Sequence, residues 1–267
     1  MENLNTSAKT ALVTGAASGL GYELALLLAG DGYDLILVDI DKINLQKAKL
    51  IIAKDYPSHI TLIEKDLSTS NSAQELFDEI GNTVIEVLIN NAGFGIYGSF
   101  GNTDWERESD MLNLHVITTT HLTKLFLKGM LERGSGKILN MSSLAAFQPG
   151  PMMSLYYASK AYILSFSEAI ANELIGTGVT VTALCPGQTD TRFQAVVSEG
   201  DCTENKIRFN IGNADDVAAY GYRAMKKGKT VAVPGVLNKF LSKVPRFVPR
   251  RTVTAIIRKI QDKNRSD

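Results

Sequence analysis

Cysteine is scarce in this chain: Cys185 and Cys202 are the only two, and no C-x-x-C spacing relates them. This usage predicts no disulfide framework and favours a reducing compartment, which we expect to be the cytoplasm. Cys185 ends a predicted strand, and we interpret it as a small buried apolar residue. Histidine is equally rare and lacks metal-pair spacing, so we expect no metal site and structural or surface roles for His59, His115 and His121.

Long hydrophobic runs and an excess of one charge are also lacking. The longest apolar run covers only residues 24–29, whereas about 20 apolar residues are needed to span a bilayer. Lys+Arg and Asp+Glu balance at 28 each, so the charge gives no reason to expect nucleic acid as a partner. The polar start MENLNTS runs directly into a predicted strand, so we expect no signal peptide. No linker divides the 267 residues, which fit one α/β domain.

Short apolar runs that predict strands alternate with segments of helical pattern. Strands are predicted over residues 10–13, 34–38, 60–63, 84–89, 137–141, 179–184 and 230–233. Helices are predicted over residues 22–29, 41–55, 70–80, 105–132, 156–174 and 215–226. Such alternation predicts a doubly wound parallel sheet with helices on both faces. Its ligand site would lie at the carboxyl ends of the strands.

A glycine-rich loop, TGAASGLG, follows the first predicted strand. Gly15, Gly19 and Gly21 would let the backbone approach a pyrophosphate at the positive end of a helix. A plain tight turn with helix-packing glycines is the alternative. Asp39 ends the second strand 18 residues after Gly21, close to the spacing of about 20 at which a carboxylate holds the adenosine ribose. Asp39 could instead cap the next helix, a role that Asp41 could fill equally well.

The surroundings of Asp39 bear on the choice of cofactor. The glycine loop contains no Arg or Lys, and Ile40 follows Asp39. A 2′-phosphate would therefore meet a repelling carboxylate and nothing obvious to pair with. Lys42 is the one nearby cation that could weaken this argument. The sequence predicts NAD as the preferred cofactor, with NADP as the alternative.

A serine, a tyrosine and a lysine in the second half have the spacing of a proton-transfer site. Ser143 stands thirteen residues before Tyr156, and Lys160 follows four residues later on the same helical face. An ammonium about 4 Å from a phenol could lower the phenol's pKa by about three units, into the range of a useful acid/base. A second pair, Tyr222 and Lys226, has Phe209 where the serine would be needed, and only the first set is complete.

In order along the chain, TGAASGLG, NNAG, Asn113, Ser143, Tyr156-x-x-x-Lys160 and PGQTDT resemble the short-chain dehydrogenase/reductase family. The resemblance covers about residues 8–235. It implies a single Rossmann domain with a seven-stranded parallel sheet that uses a nicotinamide cofactor. The stretches SFSEAIANEL and FQPGP look most like a bacterial subgroup that often carries Arg near position 39 and prefers NADP. Asp39 departs from that pattern.

The resemblance also implies roles for single residues. Tyr156 would be the acid/base, and Lys160 would lower its pKa and hold the nicotinamide ribose. Ser143 would orient the substrate oxygen, and Asn113 would hold a water behind Lys160. The full cofactor-binding set is Gly15, Ser18, Gly19, Leu20, Gly21, Asp39, Asp66, Leu67, Asn90, Asn91, Ala92, Gly93, Tyr156, Lys160, Pro186, Gly187, Thr189 and Thr191.

The predicted function is therefore hydride transfer between the cofactor and a secondary alcohol or ketone. A cofactor-binding regulatory or redox-sensing protein is the alternative, which the intact set of Asn113, Ser143, Tyr156 and Lys160 disfavours. Residues 192–213 are irregular in pattern, as a lid would be. An apolar substrate pocket or plain core packing would explain Phe94, Tyr97, Phe147, Met152 and Met153 equally well.

The family resemblance implies a homodimer or homotetramer formed through two helices that carry Leu122, Leu125, Phe126, Phe166 and Ile170. Residues 236–267 form an extension in which two short amphipathic helices are predicted. From Val236 to Arg265 the chain contains one acid, Asp262, and nine basic residues: Lys239, Lys243, Arg246, Arg250, Arg251, Arg258, Lys259, Lys263 and Arg265. We favour docking of these helices on the domain over binding to an anionic membrane surface, because the apolar stripes are short and the tail contains no Trp.

Overall fold

The computed structural model describes residues 9–189 and 212–265. Seven parallel strands form one sheet in the order β3-β2-β1-β4-β5-β6-β7. The order reverses between β1 and β4, which opens a crevice at the carboxyl ends of the strands. The strands are β1 (Thr10–Thr14), β2 (Asp34–Asp39), β3 (Ile60–Glu64), β4 (Ile85–Asn90), β5 (Gly136–Met141), β6 (Val179–Leu184) and β7 (Val231–Ala232). The predicted doubly wound parallel sheet and its number of strands are confirmed.

Helices cover both faces of this sheet because its strands alternate their side chains between two cores. In β1, Ala11 and Val13 pack into one core while Leu12 packs into the other. The first core contains residues of α1 (Gly19–Gly30), α2 (Lys42–Asp55) and α7 (Ala214–Lys226). The second contains residues of α3 (Ser72–Ile80), α5 (Thr119–Arg133) and α6 (Ser154–Glu173).

The helix predicted over residues 105–132 is present, but it is not α-helical throughout. That segment consists of α4 (Trp105–Leu112), a π-helical turn (Asn113–Thr118) and then α5. A π-helical turn widens the backbone, and such turns are frequent at functional sites. The helix after the glycine loop also begins earlier than predicted, at Gly19.

The proposed oligomer surface is smaller than the sequence suggested. Leu122 and Phe126 belong to the core of the monomer, and the Phe126 ring lies 5.2 Å from the Phe77 ring. Tyr162 and Phe166 stack on the outer side of α6 at 5.9 Å, and they remain available to a second copy. The homodimer or homotetramer stays a prediction.

Several other predictions fall on or near residues that the structure does not describe. Nearly all of the predicted lid, residues 192–213, lies outside the described ranges, as does Cys202.

Cys185 is fully buried, as predicted, and burial raises the pKa of its thiol to about 12. Across residues 9–189 and 212–265, no helix combines the length and apolar character needed to cross a bilayer.

The C-terminal extension forms α8 (Val236–Leu241), a 3-10 turn (Val244–Arg246) and α9 (Arg250–Arg265), so the two predicted helices are present. The extension contacts the sheet domain: Val253 is buried, and Gln261 donates to the Tyr157 hydroxyl at 3.1 Å. Other apolar side chains of the extension are exposed, with Phe240 at 64% and Phe247 at 86%. Treating residues 236–267 as a separate unit stays a proposal.

These contacts lead us to expect that the extension is part of the folded domain and is not a membrane anchor. We predict that the full chain does not float with anionic liposomes at low salt, and that a version ending at Gly235 loses thermal stability. Flotation assays at low and high salt and thermal denaturation would measure both. Salt-sensitive flotation that disappears on truncation would show that the basic face binds lipid.

Candidate active site

A cavity of about 800 Å³ lies at the carboxyl ends of the strands, where the sheet order reverses. Most of the residues predicted as site residues line this one cavity. They come from the ends of β1, β2, β4, β5 and β6, from the segment after β3, and from the first turns of α1 and α6. They are Gly15, Ser18, Gly19, Leu20, Asp39, Asp66, Leu67, Asn91, Ala92, Gly93, Ser143, Tyr156, Lys160, Pro186, Gly187 and Thr189.

Three predicted residues that the structure describes, Gly21, Asn90 and Asn113, are not among those that line the cavity. The Asn90 amide donates to Asn140 Oδ1 at 2.9 Å and to Thr123 Oγ1 at 3.0 Å. Strand alternation turns this side chain inward, and a contact of Asn90 with the cofactor stays a prediction. Gly21 is a packing glycine, because a Cβ there would lie 2.0 Å from the Gly15 carbonyl oxygen. Asn113 begins the π-helical turn, and Thr191 lies outside the described residues.

The glycine loop leaves the start of α1 open to the cavity. Gly15 has a φ of +66°, and its carbonyl oxygen accepts from Asn91 Nδ2 at 3.0 Å. Ser18 stands at the N-cap position of α1, yet its side chain makes no capping hydrogen bond with any described residue. Helix starts without a side-chain cap leave N–H groups that, with the helix dipole, favour anions.

Asp39 lies at the end of β2 that borders the cavity, and each of its carboxylate oxygens accepts a hydrogen bond from a backbone N–H. Its Oδ2 accepts from Ala17 N at 2.9 Å and its Oδ1 from Asp41 N at 3.0 Å. The capping alternative belongs to Asp41, whose Oδ1 accepts from the first turn of α2 at 3.0 Å. Each Asp39 oxygen retains a further lone pair that a ribose hydroxyl could use.

The cations near Asp39 have carboxylate partners of their own. Lys42 Nζ lies 2.7 Å from Glu64 Oε2. Lys65, which lines the cavity and was not considered from the sequence, lies 3.2 Å from Glu75 and 3.7 Å from Glu79. Each of these ammonium groups therefore already has a carboxylate within 4 Å.

Ser143, Tyr156 and Lys160 come together as the spacing predicted. Ser143 follows β5, and its hydroxyl makes a hydrogen bond with Tyr156. This bond acts to lower the pKa of the phenol. Lys160 Nζ donates to the Met141 carbonyl oxygen at 3.0 Å and lies 5.7 Å from the centre of the Tyr156 ring. Both ionisable side chains are buried.

Burial reverses the pKa shift that we expected for Tyr156. Loss of hydration raises the pKa of this phenol to about 12, and the hydrogen bond from Ser143 offsets only part of the effect. Burial also lowers the pKa of Lys160 to about 8. The prediction that Lys160 alone brings the tyrosine near neutrality is therefore wrong for the protein without its ligands.

The second tyrosine–lysine pair has another role. The Tyr222 hydroxyl donates to Asp31 Oδ2 at 2.7 Å, and Lys226 Nζ lies 2.5 Å from the same oxygen. The pair joins α7 to the end of α1, away from the cavity residues. Its lack of a serine partner correctly indicated that it is not a second site.

Two features of the site were missed. His115 is buried with its ring 5.9 Å from the Tyr156 ring, although we expected only a structural or surface residue. Gln261 of α9 also lines the cavity, and it donates a hydrogen bond to Tyr157, which lies 104 positions earlier in the chain. The sequence could have pointed to His115, because it stands two residues after the predicted site residue Asn113. Nothing in the sequence pointed to Gln261.

The predicted apolar pocket is present in part. Phe94 and Met153 line the main cavity, and Phe147 lines a neighbouring cavity of about 640 Å³. Tyr97 and Met152 lie outside the lining of both cavities. Met152 instead holds a loop, because its carbonyl oxygen accepts from Gly98 N at 2.9 Å.

Comparison with known proteins agrees with this architecture. The family model described as short chain dehydrogenase matches residues 9–201. A ketoacyl reductase, HetN, from Nostoc sp. is 34% identical over 208 residues, which cover 74% of this chain and 72% of that protein.

Solved structures share the fold. A short-chain dehydrogenase from Sphingobium yanoikuyae in complex with NADPH has a TM-score of 0.79 and 24% identity, covering 91% of this chain and 97% of that one. One from Burkholderia phymatum in complex with NAD has a TM-score of 0.78 and 22% identity, covering 90% and 93%. The match to the family model and the identity with HetN show that this chain belongs to the short-chain dehydrogenase family of oxidoreductases.

Proposed function

We propose that this protein transfers a hydride between NAD(H) and a secondary alcohol or ketone, with Tyr156 as the acid/base. One observation carries the proposal: Ser143, Tyr156 and Lys160 line the same cavity as the glycine loop and Asp39. A proton-transfer group and a dinucleotide cradle are thus brought within one crevice. The relatives in complex with NADPH and NAD support the cofactor class.

The residues of the cavity fit a nicotinamide dinucleotide. The open start of α1 at Gly19 and Leu20 suits the pyrophosphate. The Asp39 carboxylate suits the adenosine ribose, and Lys160 suits the second ribose. Pro186, Gly187 and Thr189 would flank the nicotinamide, which supplies or accepts the hydride when it is bound.

The side chains around Tyr156 prepare it for proton transfer. In ketone reduction, the neutral phenol donates its proton to the substrate oxygen, and the Ser143 hydroxyl helps to position that oxygen. The Lys160 ammonium stabilises the phenolate that forms. In alcohol oxidation the same phenol must first lose its proton, which its raised pKa opposes. We infer that the positive charge of the oxidised nicotinamide supplies the remaining stabilisation.

The substrate half of the cavity favours a mostly apolar ketone that carries a second polar group. Phe94, Leu144 and Met153 offer apolar surface there. The amides of Gln148, Gln188 and Gln261 line the same cavity and could bind a distant hydroxyl or carbonyl. The name of the ketoacyl reductase HetN fits a substrate of this kind.

A cofactor-binding sensor without turnover is the competing function. A sensor has no need of a buried tyrosine and lysine beside a serine hydroxyl, since burying ionisable groups costs free energy. Complete failure of a broad panel of ketones and secondary alcohols, in the presence of measured cofactor binding, would favour the sensor.

We predict that Tyr156→Phe abolishes turnover while cofactor affinity stays within a few-fold of wild type. The phenyl ring keeps the packing of the phenol but has no proton to give. Turnover of a ketone panel followed by NADH absorbance, together with cofactor titration, would measure both. Tyr222→Phe is the matched control, because it removes a phenol from the Tyr222–Lys226 pair and should leave turnover unchanged. Near-wild-type turnover in Tyr156→Phe would refute the mechanism.

We predict a preference for NAD over NADP that depends on Asp39. Its carboxylate should bind the ribose diol and repel a 2′-phosphate, and losing a charged hydrogen-bonded contact costs roughly 1.5–3 kcal/mol, or about 10- to 150-fold. Asp39→Ala should therefore erase most of the preference in kcat/KM. Asp34→Ala, at the opposite end of the same strand, is the matched control and should leave the preference intact. A wild-type preference for NADP would show that Lys42 or Lys65 outweighs Asp39.

A further inference from the structure

The imidazole of His115 is buried directly behind the proton-transfer group. Only 1% of this residue is exposed, and it belongs to the π-helical turn that begins at Asn113. Its ring stands edge-on to Tyr156 at 5.9 Å, with Phe94 at 6.4 Å on another side. A polar ring in such a place costs free energy unless both of its nitrogens are hydrogen-bonded.

The hydrogen bonds of Ser159 determine which ring nitrogen carries the proton. Its hydroxyl donates to the Tyr156 carbonyl oxygen at 2.8 Å, which uses its only hydrogen. The same oxygen lies 2.9 Å from His115 Nδ1 and must therefore accept there. With the Ser159 hydrogen used in this way, Nδ1 would carry the proton and Nε2 would present a bare lone pair.

That lone pair has no hydrogen-bond partner among the residues the structure describes. Nε2 faces the small space over Gly93, and the Lys160 ammonium borders the same space. A Cβ built on Gly93 would lie 2.6 Å from His115 Nε2 and 3.6 Å from Lys160 Nζ. Only glycine leaves this space free.

The hydrogen-bonding capacities of the two groups are complementary. Burial, followed by the nearby Lys160, holds the pKa of His115 well below its usual range, so this imidazole is neutral and can accept. The Lys160 ammonium has three N–H donors, and the Met141 carbonyl oxygen takes one of them at 3.0 Å. A donor and an acceptor that both need a partner thus border the same space.

We propose that His115 is a positioning residue for Lys160: its Nε2 accepts a hydrogen bond from the Lys160 ammonium, directly or across one water. This bond, with that to Met141, fixes the amine behind Tyr156 and leaves the third N–H for the site. It also favours the charged form of Lys160 against the burial that disfavours it. The inference concerns a role in catalysis and so rests on the proposed function.

The sign of the resulting pH effect can be worked out from the neighbouring groups. The ionisable neighbours are Tyr156 beside His115, and Cys185 beside Lys160; burial raises the pKa of each to about 12. Lys160, with its pKa lowered to about 8, is the group that loses its proton first. Ketone reduction needs the Lys160 ammonium, so its rate should fall as pH rises through the pKa of Lys160. Removing the acceptor should lower that pKa further and move the alkaline limb to lower pH.

We predict that His115→Leu moves the alkaline limb of ketone reduction down by about one pH unit, as expected for a lost hydrogen bond to a charged group. The assay uses saturating NADH and the ketone that wild type turns over fastest. His115→Gln keeps an acceptor oxygen and should keep the wild-type limb. His121→Leu, a histidine of α5, is the matched control and should not shift it. An unmoved limb in His115→Leu, or an equal shift in His115→Gln, would overturn the proposal.

The tautomer provides a test that requires neither folding of a variant at residue 115 nor turnover. In wild-type protein labelled with ¹⁵N-histidine, His115 can be assigned by elimination with His59→Gln and His121→Gln. We expect His115 to remain neutral from pH 6 to 8, with Nδ1 protonated and Nε2 unprotonated. A protonated Nε2 would overturn the inference while leaving the proposed function intact. Failure of every ketone would instead overturn the proposed function.

Discussion

The burial of Tyr156 and Lys160 in one crevice is the constraint on which the site depends. Each group loses hydration, and the loss moves the two pKa values apart: that of the phenol rises to about 12, and that of the ammonium falls to about 8. Met141 and Ser143, at the end of β5, supply the hydrogen bonds that partly offset this cost. A charged phenolate and ammonium pair is therefore unfavourable until a ligand adds its own charge. This requirement would suppress proton transfer in the empty site.

The sheet explains why so many distant residues meet there. Parallel strands deliver their carboxyl ends to one edge, and the reversal of strand order between β1 and β4 keeps a crevice open at that edge. Asn91, which follows β4, ties the glycine loop to that crevice through the Thr14 and Gly15 carbonyl oxygens. The C-terminal extension contributes Gln261 to the lining of the cavity, and its buried Asn238 packs beside Gly187. The extension is thus part of the site architecture.

The sequence predicted what depends on local pattern. Strands and their order of appearance followed from apolar runs, and the alignment of Tyr156 with Lys160 followed from helical geometry. It could not predict what depends on neighbours remote in the chain. The inward turn of Asn90 depends on Thr123 and Asn140, and nothing in the local pattern indicates the π-helical turn that begins at Asn113. The direction of the Tyr156 pKa shift was missed for the same reason, because burial is a property of the folded chain.

The central claim is that the phenol of Tyr156 is a poor base alone and becomes effective only beside an oxidised cofactor. Tyrosine labelled with ¹³C at Cζ reports ionisation directly, and the signal absent from Tyr156→Phe identifies the residue. The account predicts that this signal stays protonated up to pH 10 in the free protein and titrates at lower pH when NAD⁺ saturates the site. Ionisation near neutral pH in the free protein, or a titration that NAD⁺ leaves unchanged, would contradict it.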